Sequence, residues 1–156
     1  PNYKKIIEYS DIVFASEKDI SNIFGIKSEK ENVSIEEILK DLIPEFASKY
    51  NLKLVAGTIR KNKTLNNQTI KGFAYRNNEI FFSDYSELEI YDRIGGGDAY
   101  TSGILYKYLK NSSLKNMVNF AVASSVLGHT TYGDTPISTL SEVEELLSGN
   151  FSELKR

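Results

Sequence analysis

The chain has 156 residues, a length that suits one domain, and 40% of them are hydrophobic while 26% are charged, as in an ordinary globular protein. A formal net charge of −2 argues against a nucleic-acid partner bound through bulk electrostatics. The absence of cysteine excludes disulfides, thiolate metal sites and cysteine nucleophiles, and a single histidine excludes the usual multi-histidine metal centres.

No stretch of the sequence indicates a membrane partner or secretion. No apolar run approaches the roughly 18–20 residues of a membrane span, and the N-terminus lacks a signal-peptide hydrophobic region. A cytoplasmic location is therefore the default expectation. Because the chain begins at Pro1 rather than at a methionine, we expect it to be a piece of a longer protein.

The first elements alternate helical patterns with a short apolar run. Residues 3–9 are typical of the end of a helix, and residues 11–15 predict a strand buried on both faces of a parallel sheet. Ser16 is a candidate N-cap, and Asp19 three residues later predicts a capping box. The helix that follows should end at Gly25.

The next segment continues the alternation. Ser34 is a candidate N-cap for a helix whose apolar residues follow the helical period as far as Phe46. Pro44 lies inside this pattern, which predicts a kink or a break. A strand is predicted over residues 52–56, followed by Gly57. Strand, helix and strand joined by short loops indicate an α/β fold with parallel strands.

A hairpin and three helices complete the predicted order. Residues 60–68 are polar and loop-like, and residues 69–75 and 79–83 predict two strands joined by an Arg-Asn-Asn turn. We expect this hairpin to form an antiparallel edge of the sheet. The predicted helices are residues 99–109, 114–127 and 139–147.

The most informative motif is Gly95, Gly96, Gly97 and Asp98 at a loop-to-helix junction. Three consecutive glycines cost backbone entropy, but they allow the backbone to approach a ligand closely. The free N–H groups and the dipole of a helix start bind anions, and phosphate is the natural candidate. Asp98 in the first turn is placed to take a proton from an attacking hydroxyl. An anion hole beside a base predicts a phosphoryl-transfer site.

Other interpretations of the glycine run remain open on these residues alone. The same motif also fits a helix cap that binds no ligand, which is its commoner use. The sequence has no Gly-x-x-x-x-Gly-Lys-Ser/Thr, so it is not a P-loop NTPase. It has no Gly-x-Gly-x-x-Gly after a first strand, so a dinucleotide site of the Rossmann type is unsupported.

The wider string Asp92-Arg-Ile-Gly-Gly-Gly-Asp-Ala-Tyr100 resembles the signature of the ribokinase-like (PfkB) carbohydrate kinases, Asp-Thr-x-Gly-Ala-Gly-Asp-x-Phe. Arg93, the string Val55-Ala-Gly-Thr-Ile-Arg60 and the string His129-Thr-Thr-Tyr-Gly-Asp134 are similar to the branch that phosphorylates 2-keto-3-deoxygluconate. The resemblance covers about the C-terminal half of such a kinase. It implies part of a three-layer α/β/α fold with a mostly parallel sheet, residues 1–156 forming its nucleotide-binding portion.

The resemblance also implies ATP and Mg²⁺ as cofactors and assigns the nucleotide site. Asp98 would match the catalytic base and contact the sugar, and Gly95, Gly96 and Gly97 would match the anion hole. Thr58 and Arg60, at the C-terminal end of a predicted strand, would face the nucleotide phosphates; otherwise they belong to a solvated loop. Ala123 would lie beside the adenine, although core packing alone is the commoner role of such a residue.

Other residues would act on the sugar and the loop. Arg93 would reach a phosphate or the carboxylate of the sugar acid, unless it only forms a surface ion pair. Asp134 would contact the sugar hydroxyls, unless it only forms a turn. Asp92 would support the loop, or cap it. His129 fits a structural hydrogen-bonding residue better than a catalyst.

One string departs from the family pattern. The family has Asn-x-x-Glu after the first of these strands, where it organises Mg²⁺ through water, and this chain has Ser16-Glu-Lys-Asp19. Asp19 would replace the glutamate through water, with no direct protein ligand, whereas Ser16 fits a helix cap alone. The departure concerns how the metal is organised, since ATP carries its own Mg²⁺.

The implied reaction is the ATP-dependent phosphorylation of a sugar-acid hydroxyl, converting 2-keto-3-deoxygluconate to its 6-phosphate. The N-terminal half of such a kinase supplies most sugar contacts and a lid that often mediates dimerisation, so the whole protein could be homo-oligomeric and this piece alone is expected to be inactive. The alternatives are another family member such as a fructokinase or nucleoside kinase, a non-catalytic nucleotide-binding module, and a structural α/β domain with no ligand.

Overall fold

The computed structural model describes residues 2–62, 67–135 and 137–149. The helices are α1 (Tyr3–Ile6), α2 (Glu17–Asn22), α3 (Ile35–Lys49), α4 (Gly96–Leu109), α5 (Leu114–His129) and α6 (Leu140–Ser148), with a 3₁₀ turn at Ile7–Tyr9. The strands are β1 (Ile12–Phe14), β2 (Leu54–Asn62), β3 (Asn67–Arg76), β4 (Glu79–Phe82) and β5 (Ser86–Glu89). No helix in the described ranges is long and apolar enough to cross a membrane.

The chain divides into two compact units, and the boundary runs through β2 and β3. The first unit comprises residues 1–59 and 73–82, and the second comprises residues 60–72 and 83–156, as far as each is described. The glycine run and the residues from 92 to 134 that were predicted to act with it belong to the second unit.

The sheet is mixed, with the strand order β1-β2-β3-β4 and β5 paired with β3. β1 and β2 are parallel, with Ile12 opposite Leu54. β3 and β4 form the predicted antiparallel hairpin, and Asn77 and Asn78 turn it with φ values of 53° and 62°. Two consecutive left-handed residues are the requirement of a type I′ turn, which matches the twist of the strands. The α/β class is therefore confirmed.

In the first unit, α3 buries one face against the strands. Leu39, Leu42, Ile43 and Phe46 follow the helical period and pack with Phe73 in one hydrophobic cluster. Burying each such side chain stabilises the fold by about 1.5–3 kcal/mol. This cluster fixes the helix on the sheet.

Of the two outcomes predicted at Pro44, a kink or a break, the break is wrong, because α3 is a single helix from Ile35 to Lys49 with the proline inside it. A proline in a helix interior costs about 3 kcal/mol through a lost hydrogen bond and a steric clash. The buried face of α3 contributes more than that in total, and Pro44 itself lies on the exposed face. Tertiary packing therefore outweighs the local signal.

The strand predicted over residues 52–56 is longer than expected. β2 extends from Leu54 to Asn62, so Thr58 and Arg60 lie inside the strand rather than beyond its C-terminal end. The polar residues that predicted a loop over 60–68 are strand residues where they are described, and residues 63–66 lie outside the described part. β5 was not predicted, because its short polar sequence carries no alternating apolar pattern.

In the second unit, α4 packs along α5, and α5 packs on α6. Phe120, Ala123, Leu127 and Val143 form a buried cluster between the latter two helices. α5 ends at His129 instead of at the predicted residue 127. The extra residues bring the histidine into the last turn of the helix.

Candidate active site

Helix α4 begins without a side-chain cap. Its N-cap Gly95 has φ 84° and ψ −24°, a left-handed conformation that glycine adopts at little cost. The first backbone bond of the helix runs from Ala99 N to Gly95 O at 2.8 Å. Within the described ranges, the N–H groups of Gly96, Gly97 and Asp98 have no protein acceptor. Three donors are thus left for a ligand.

The turn is open at Gly97 and Asp98. A Cβ atom built on Gly97 would meet no atom within 4 Å. Gly97 and Asp98 are exposed, and the Asp98 carboxylate forms no hydrogen bond or ion pair with any described residue. A carboxylate in the first turn of a helix therefore stands beside three unpartnered N–H groups, with space for an anion.

The loop before the turn is held by Asp92. Its Oδ1 accepts a hydrogen bond from Ile94 N at 3.0 Å, and its Oδ2 accepts one from Gly133 N at 3.0 Å. The bonds from Ile94 and then from Gly133 hold the pKa of Asp92 below its ordinary value. One carboxylate thus joins the loop that precedes α4 to the loop that follows α5. The backbone of Asp134 lies in the second loop, and its carbonyl oxygen would be 3.0 Å from a Cβ on Gly95.

Behind the turn, α5 makes direct contact with Gly96. Ser125 Oγ donates to Gly96 O at 2.8 Å, and both residues are buried. His129 Nδ1 donates to Ser125 O at 2.6 Å, and the ring lies against the Cα of Gly96. Burial, and then repulsion from Arg60 and Arg93, lower the pKa of His129, while its bond to Ser125 opposes this shift.

Two arginines add positive charge to this region. Arg60 is exposed, and desolvation by the surrounding protein, followed by repulsion from Arg93, lowers its pKa. Arg60 forms no ion pair with any described residue. Both guanidiniums also help to lower the pKa of His129, so their positive charges act on the residue that lies behind the turn. Like charges near one another favour binding of an anion between them.

A cleft of about 330 Å³ begins at Asp98. Apolar and small side chains line most of it, from α4, α5 and the start of α6, including Ser102, Tyr106, Phe120, Ser124 and Leu140. Its volume is at the lower end of the range for small-molecule sites, about 300–1,000 Å³. The catalytic candidate therefore opens onto a pocket and not onto a flat surface.

The structure brings most of the predicted site residues of the second unit together. Gly95, Gly96, Gly97 and Asp98 form the turn, and Asp92 and Asp134 lie in the two loops beside it. The charges of Arg60 and Arg93 act on His129, which lies behind the turn. Ala123 is the exception, because it is 4% exposed and belongs to the core cluster of α5 and α6. Its neighbour Ser124 lines the cleft instead.

Two predicted residues lie in the first unit. Thr58 is half-buried within β2. Asp19 forms the predicted capping box, in which its Oδ2 accepts from Ser16 N at 2.8 Å and from Ser16 Oγ at 2.6 Å. One carboxylate oxygen of Asp19 is thus already occupied by the helix cap. The described residues contain no cluster of three or more acidic or histidine side chains that could hold a metal ion by itself.

Sequence reasoning missed the support that α5 gives to the turn. The small residues of α5 indicated close packing, but nothing local pairs Ser125 with Gly96, which is 29 positions earlier. His129 was expected to act as a structural hydrogen-bonding residue, and the structure supplies its partner, the Ser125 carbonyl.

Comparison with known proteins decides the family. The profile described as pfkB family carbohydrate kinase matches residues 1–140. The chain belongs to the pfkB family of carbohydrate kinases. A protein from Enterococcus faecalis assigned as a 2-keto-3-deoxygluconate kinase has 40% sequence identity and a TM-score of 0.87, covering 99% of this chain and 45% of that one.

Two further relatives also have the names of kinases that act on 2-dehydro-3-deoxy sugar acids. The 2-dehydro-3-deoxygluconokinase of Thermotoga maritima is 31% identical with a TM-score of 0.86, covering 94% of this chain and 44% of that one. The 2-dehydro-3-deoxygalactonokinase of Haloferax volcanii is 22% identical over 146 residues, which are 94% of this chain and 41% of the relative. The chain thus spans less than half the length of the relatives it matches.

Proposed function

We propose that this chain is the nucleotide-binding portion of a sugar-acid kinase, which transfers the γ-phosphoryl group of ATP to a hydroxyl of 2-keto-3-deoxygluconate. The observation that carries the proposal is the start of α4, where the N–H groups of Gly96, Gly97 and Asp98 have no acceptor among the described residues, and where Gly97 and Asp98 are exposed. Such donors stabilise the charge that develops on a transferring phosphoryl group.

Asp98 is proposed as the general base. It would accept the proton of the attacking sugar hydroxyl while the oxygen forms its bond to phosphorus and the bond to the ADP oxygen breaks. Its exposure and its freedom from internal partners among the described residues leave the carboxylate available for this role. A base held in an ion pair would first have to break that pair.

The phosphates and the sugar acid are both anionic, which suits the two arginines. We propose that Arg60 binds a nucleotide phosphate and that Arg93 binds a phosphate or the carboxylate of the sugar acid. Mg²⁺ would arrive with ATP and neutralise part of the phosphate charge. Asp19 would organise it through water with its remaining oxygen, Thr58 would approach the phosphates from β2, and Asp134 would contact a sugar hydroxyl.

The cleft beside Asp98 is proposed as the place of the nucleoside. Tyr106 and Phe120 offer aromatic surface to the cleft. Ser102 and Ser124 have small side chains, which leave the cleft wide enough for a flat ring. Ser124→Leu would narrow this cleft. In a chimaera that joins this chain to the remaining part of the Enterococcus faecalis relative, the substitution is expected to raise the KM for ATP about tenfold with little change in kcat. An unchanged KM would remove the cleft from the nucleotide site.

The chain spans less than half the length of these relatives, and the sugar pocket is proposed to need polypeptide beyond these residues. ATP-dependent phosphorylation of 2-keto-3-deoxygluconate is measured for the chain alone and for a chimaera in which it replaces the matching 45% of the Enterococcus faecalis protein. We expect turnover by the chimaera and none by the chain alone. Fructose and a nucleoside serve as competing acceptors, and a preference for either would overturn the sugar-acid assignment.

A non-catalytic nucleotide-binding module is the second candidate, and the intact helix start would serve it equally. ATP that raises the melting temperature of a chimaera without any turnover would favour this alternative. No stabilisation by ATP and Mg²⁺ at all would contradict both candidates.

A further inference from the structure

The ring of His129 fills the space that a side chain at position 96 would need. A Cβ built on Gly96 would lie 2.0 Å from Cε1 and 2.4 Å from Nδ1 of the imidazole, much closer than real contacts allow. His129 has no exposed surface, so the ring has no free space into which it could swing. Glycine is therefore the residue that fits at position 96 while the histidine is present.

Two more contacts from α5 hold Gly96 from behind. Ser125 Oγ donates to the Gly96 carbonyl at 2.8 Å, and a Cβ on Gly128 would lie 3.4 Å from the Gly96 Cα. The carbonyl of Gly96 and the N–H of Gly97 belong to the same peptide plane. A bond that fixes this carbonyl therefore also fixes the direction of one donor of the open turn.

Packing alone does not account for a histidine at this place. With its Nδ1 proton donated to Ser125 O, the neutral ring keeps a lone pair on Nε2, and this buried nitrogen has no partner among the described residues. A leucine would fill a similar space without leaving a polar atom unpaired. What the histidine adds is the bond to Ser125, which fixes the plane of the ring against Gly96.

The imidazole of His129 stands where the methyl group of an alanine at position 96 would lie. We propose that Gly96 and His129 are a matched pair, and that His129 is a positioning residue that supports the glycine turn from the place that this methyl group would take. The proposal rests on the proposed function in so far as the turn is the phosphate site.

The first test is a double-mutant cycle on the 156-residue chain with thermal unfolding and ATP–Mg²⁺ titration as readouts. Gly96→Ala places a methyl inside the ring, and we expect a lower melting temperature and an ATP affinity weakened about tenfold. In Gly96→Ala/His129→Ala the methyl gains the vacated space, and we expect at least a fivefold recovery, within the range for contacting residues. A double variant that shows the product of both single losses would overturn the pair.

Gly97→Ala is the matched control, because its Cβ would meet nothing within 4 Å. Its melting temperature should equal that of the wild type, whatever it does to ATP binding. A loss of melting temperature as large as that of Gly96→Ala would mean that any side chain disturbs the turn, and the specific fit to His129 would be refuted.

His129→Leu separates positioning from packing, because it keeps most of the volume and removes the bond to Ser125. A positioning role predicts a folded variant whose Gly96 and Gly97 amide resonances move and whose ATP affinity falls threefold or more. Unchanged amide shifts and an unchanged affinity for ATP would show that His129 only fills space and does not position the turn. In the wild type, imidazole nitrogen shifts must show the proton on Nδ1, so a proton on Nε2 would also contradict the proposal even if every variant fails to fold.

The phosphate site and the pairing of Gly96 with His129 can fail separately. If ATP–Mg²⁺ leaves the amide resonances of the turn unmoved in the wild-type chain, the phosphate site fails, while coupling in thermal unfolding between Gly96 and His129 can still be observed. If ATP moves those resonances but the cycle shows no coupling, the matched pair fails and the phosphate site stands.

Discussion

Two helices of this chain begin in opposite ways. At the start of α2, Ser16 Oγ accepts a hydrogen bond from Asp19 N at 3.3 Å, and Asp19 Oδ2 accepts one from Ser16 N at 2.8 Å. At the start of α4, Gly95 has no side chain to offer, and the following N–H groups find no acceptor among the described residues. The same set of terminal donors is satisfied internally in one helix and left for a ligand in the other.

The remaining helices of six or more described residues follow α2. Ser34, Ser113 and Thr139 each accept a bond from the N–H three residues later, at the starts of α3, α5 and α6. Among the described helices of six or more residues, only α4 has glycine at its N-cap, which costs a few tenths of a kcal/mol relative to a capping side chain. This exception coincides with a glycine turn and an unpartnered carboxylate. The small cost and this coincidence support a binding role for the start of α4.

The largest effect should come from the carboxylate beside the open start. In the chimaera, Asp98→Asn should lower kcat by about 10²–10⁴-fold, since an amide cannot accept the proton of the sugar hydroxyl. Nucleotide binding should remain nearly intact, because the N–H donors are unchanged. Turnover measured beside ATP titration checks both statements, and near-normal turnover would remove Asp98 from the role of base.

The glycine that shapes the open start should matter next. Gly95→Ala puts a side chain at a φ of 84°, which costs about 1–2 kcal/mol, and its Cβ would lie 3.0 Å from Asp134 O. The free energy of unfolding in urea should fall by at least that amount. Gly97→Ala should leave it unchanged or raise it slightly, because alanine is the better helix former. Equal losses at both positions would refute the special conformation of Gly95.

At a capped helix start, a substitution should lower the stability of the fold without weakening ATP binding. Ser34→Ala removes the acceptor of Glu37 N, a bond of 3.2 Å, and should lower the free energy of unfolding by about 0.5–1 kcal/mol. The increase in melting temperature that ATP produces should not change. If this variant weakens ATP binding as much as a change at the glycine turn, the contrast between the two kinds of helix start fails.

The smallest predicted effect is a pH dependence from His129. Burial lowers its folded-state pKa below the usual 6.5, so the unfolded chain binds more protons just below pH 6.5. Stability should therefore fall as the pH decreases from about 6.5 to the folded pKa, and His129 should add no slope above that window. Urea titrations of the wild type and of His129→Leu should differ in slope only there, and parallel curves would contradict the buried neutral ring.

The sequence predicted what local chemistry determines. The capping residues Ser16 and Ser34 and the Asn-Asn turn of the hairpin were found in place, because each depends on a few neighbouring residues. The position of Asp98 in the first turn of α4 followed from the same kind of signal.

What the sequence did not predict depends on partners far along the chain. α3 continues through Pro44 because its buried face packs on the sheet. β2 continues to Asn62 because hydrogen bonding to neighbouring strands, and not its own sequence, sets the length of a strand. The support of Gly96 by Ser125 and His129 joins segments separated by a whole helix. Periodicity and spacing describe neighbouring residues, so they do not predict a contact between residues this far apart in the sequence.

The most direct test of the central claim compares the two helix starts in one experiment. Amide resonances of the 156-residue chain are followed by two-dimensional NMR during titration with ATP–Mg²⁺, with adenosine as the control that lacks phosphate. We predict that the amide resonances of Gly96, Gly97 and Asp98 shift with ATP and not with adenosine, while the resonances of the capped amides of α3 and α6 do not shift. Saturating ATP that leaves the three turn amides unmoved would contradict it.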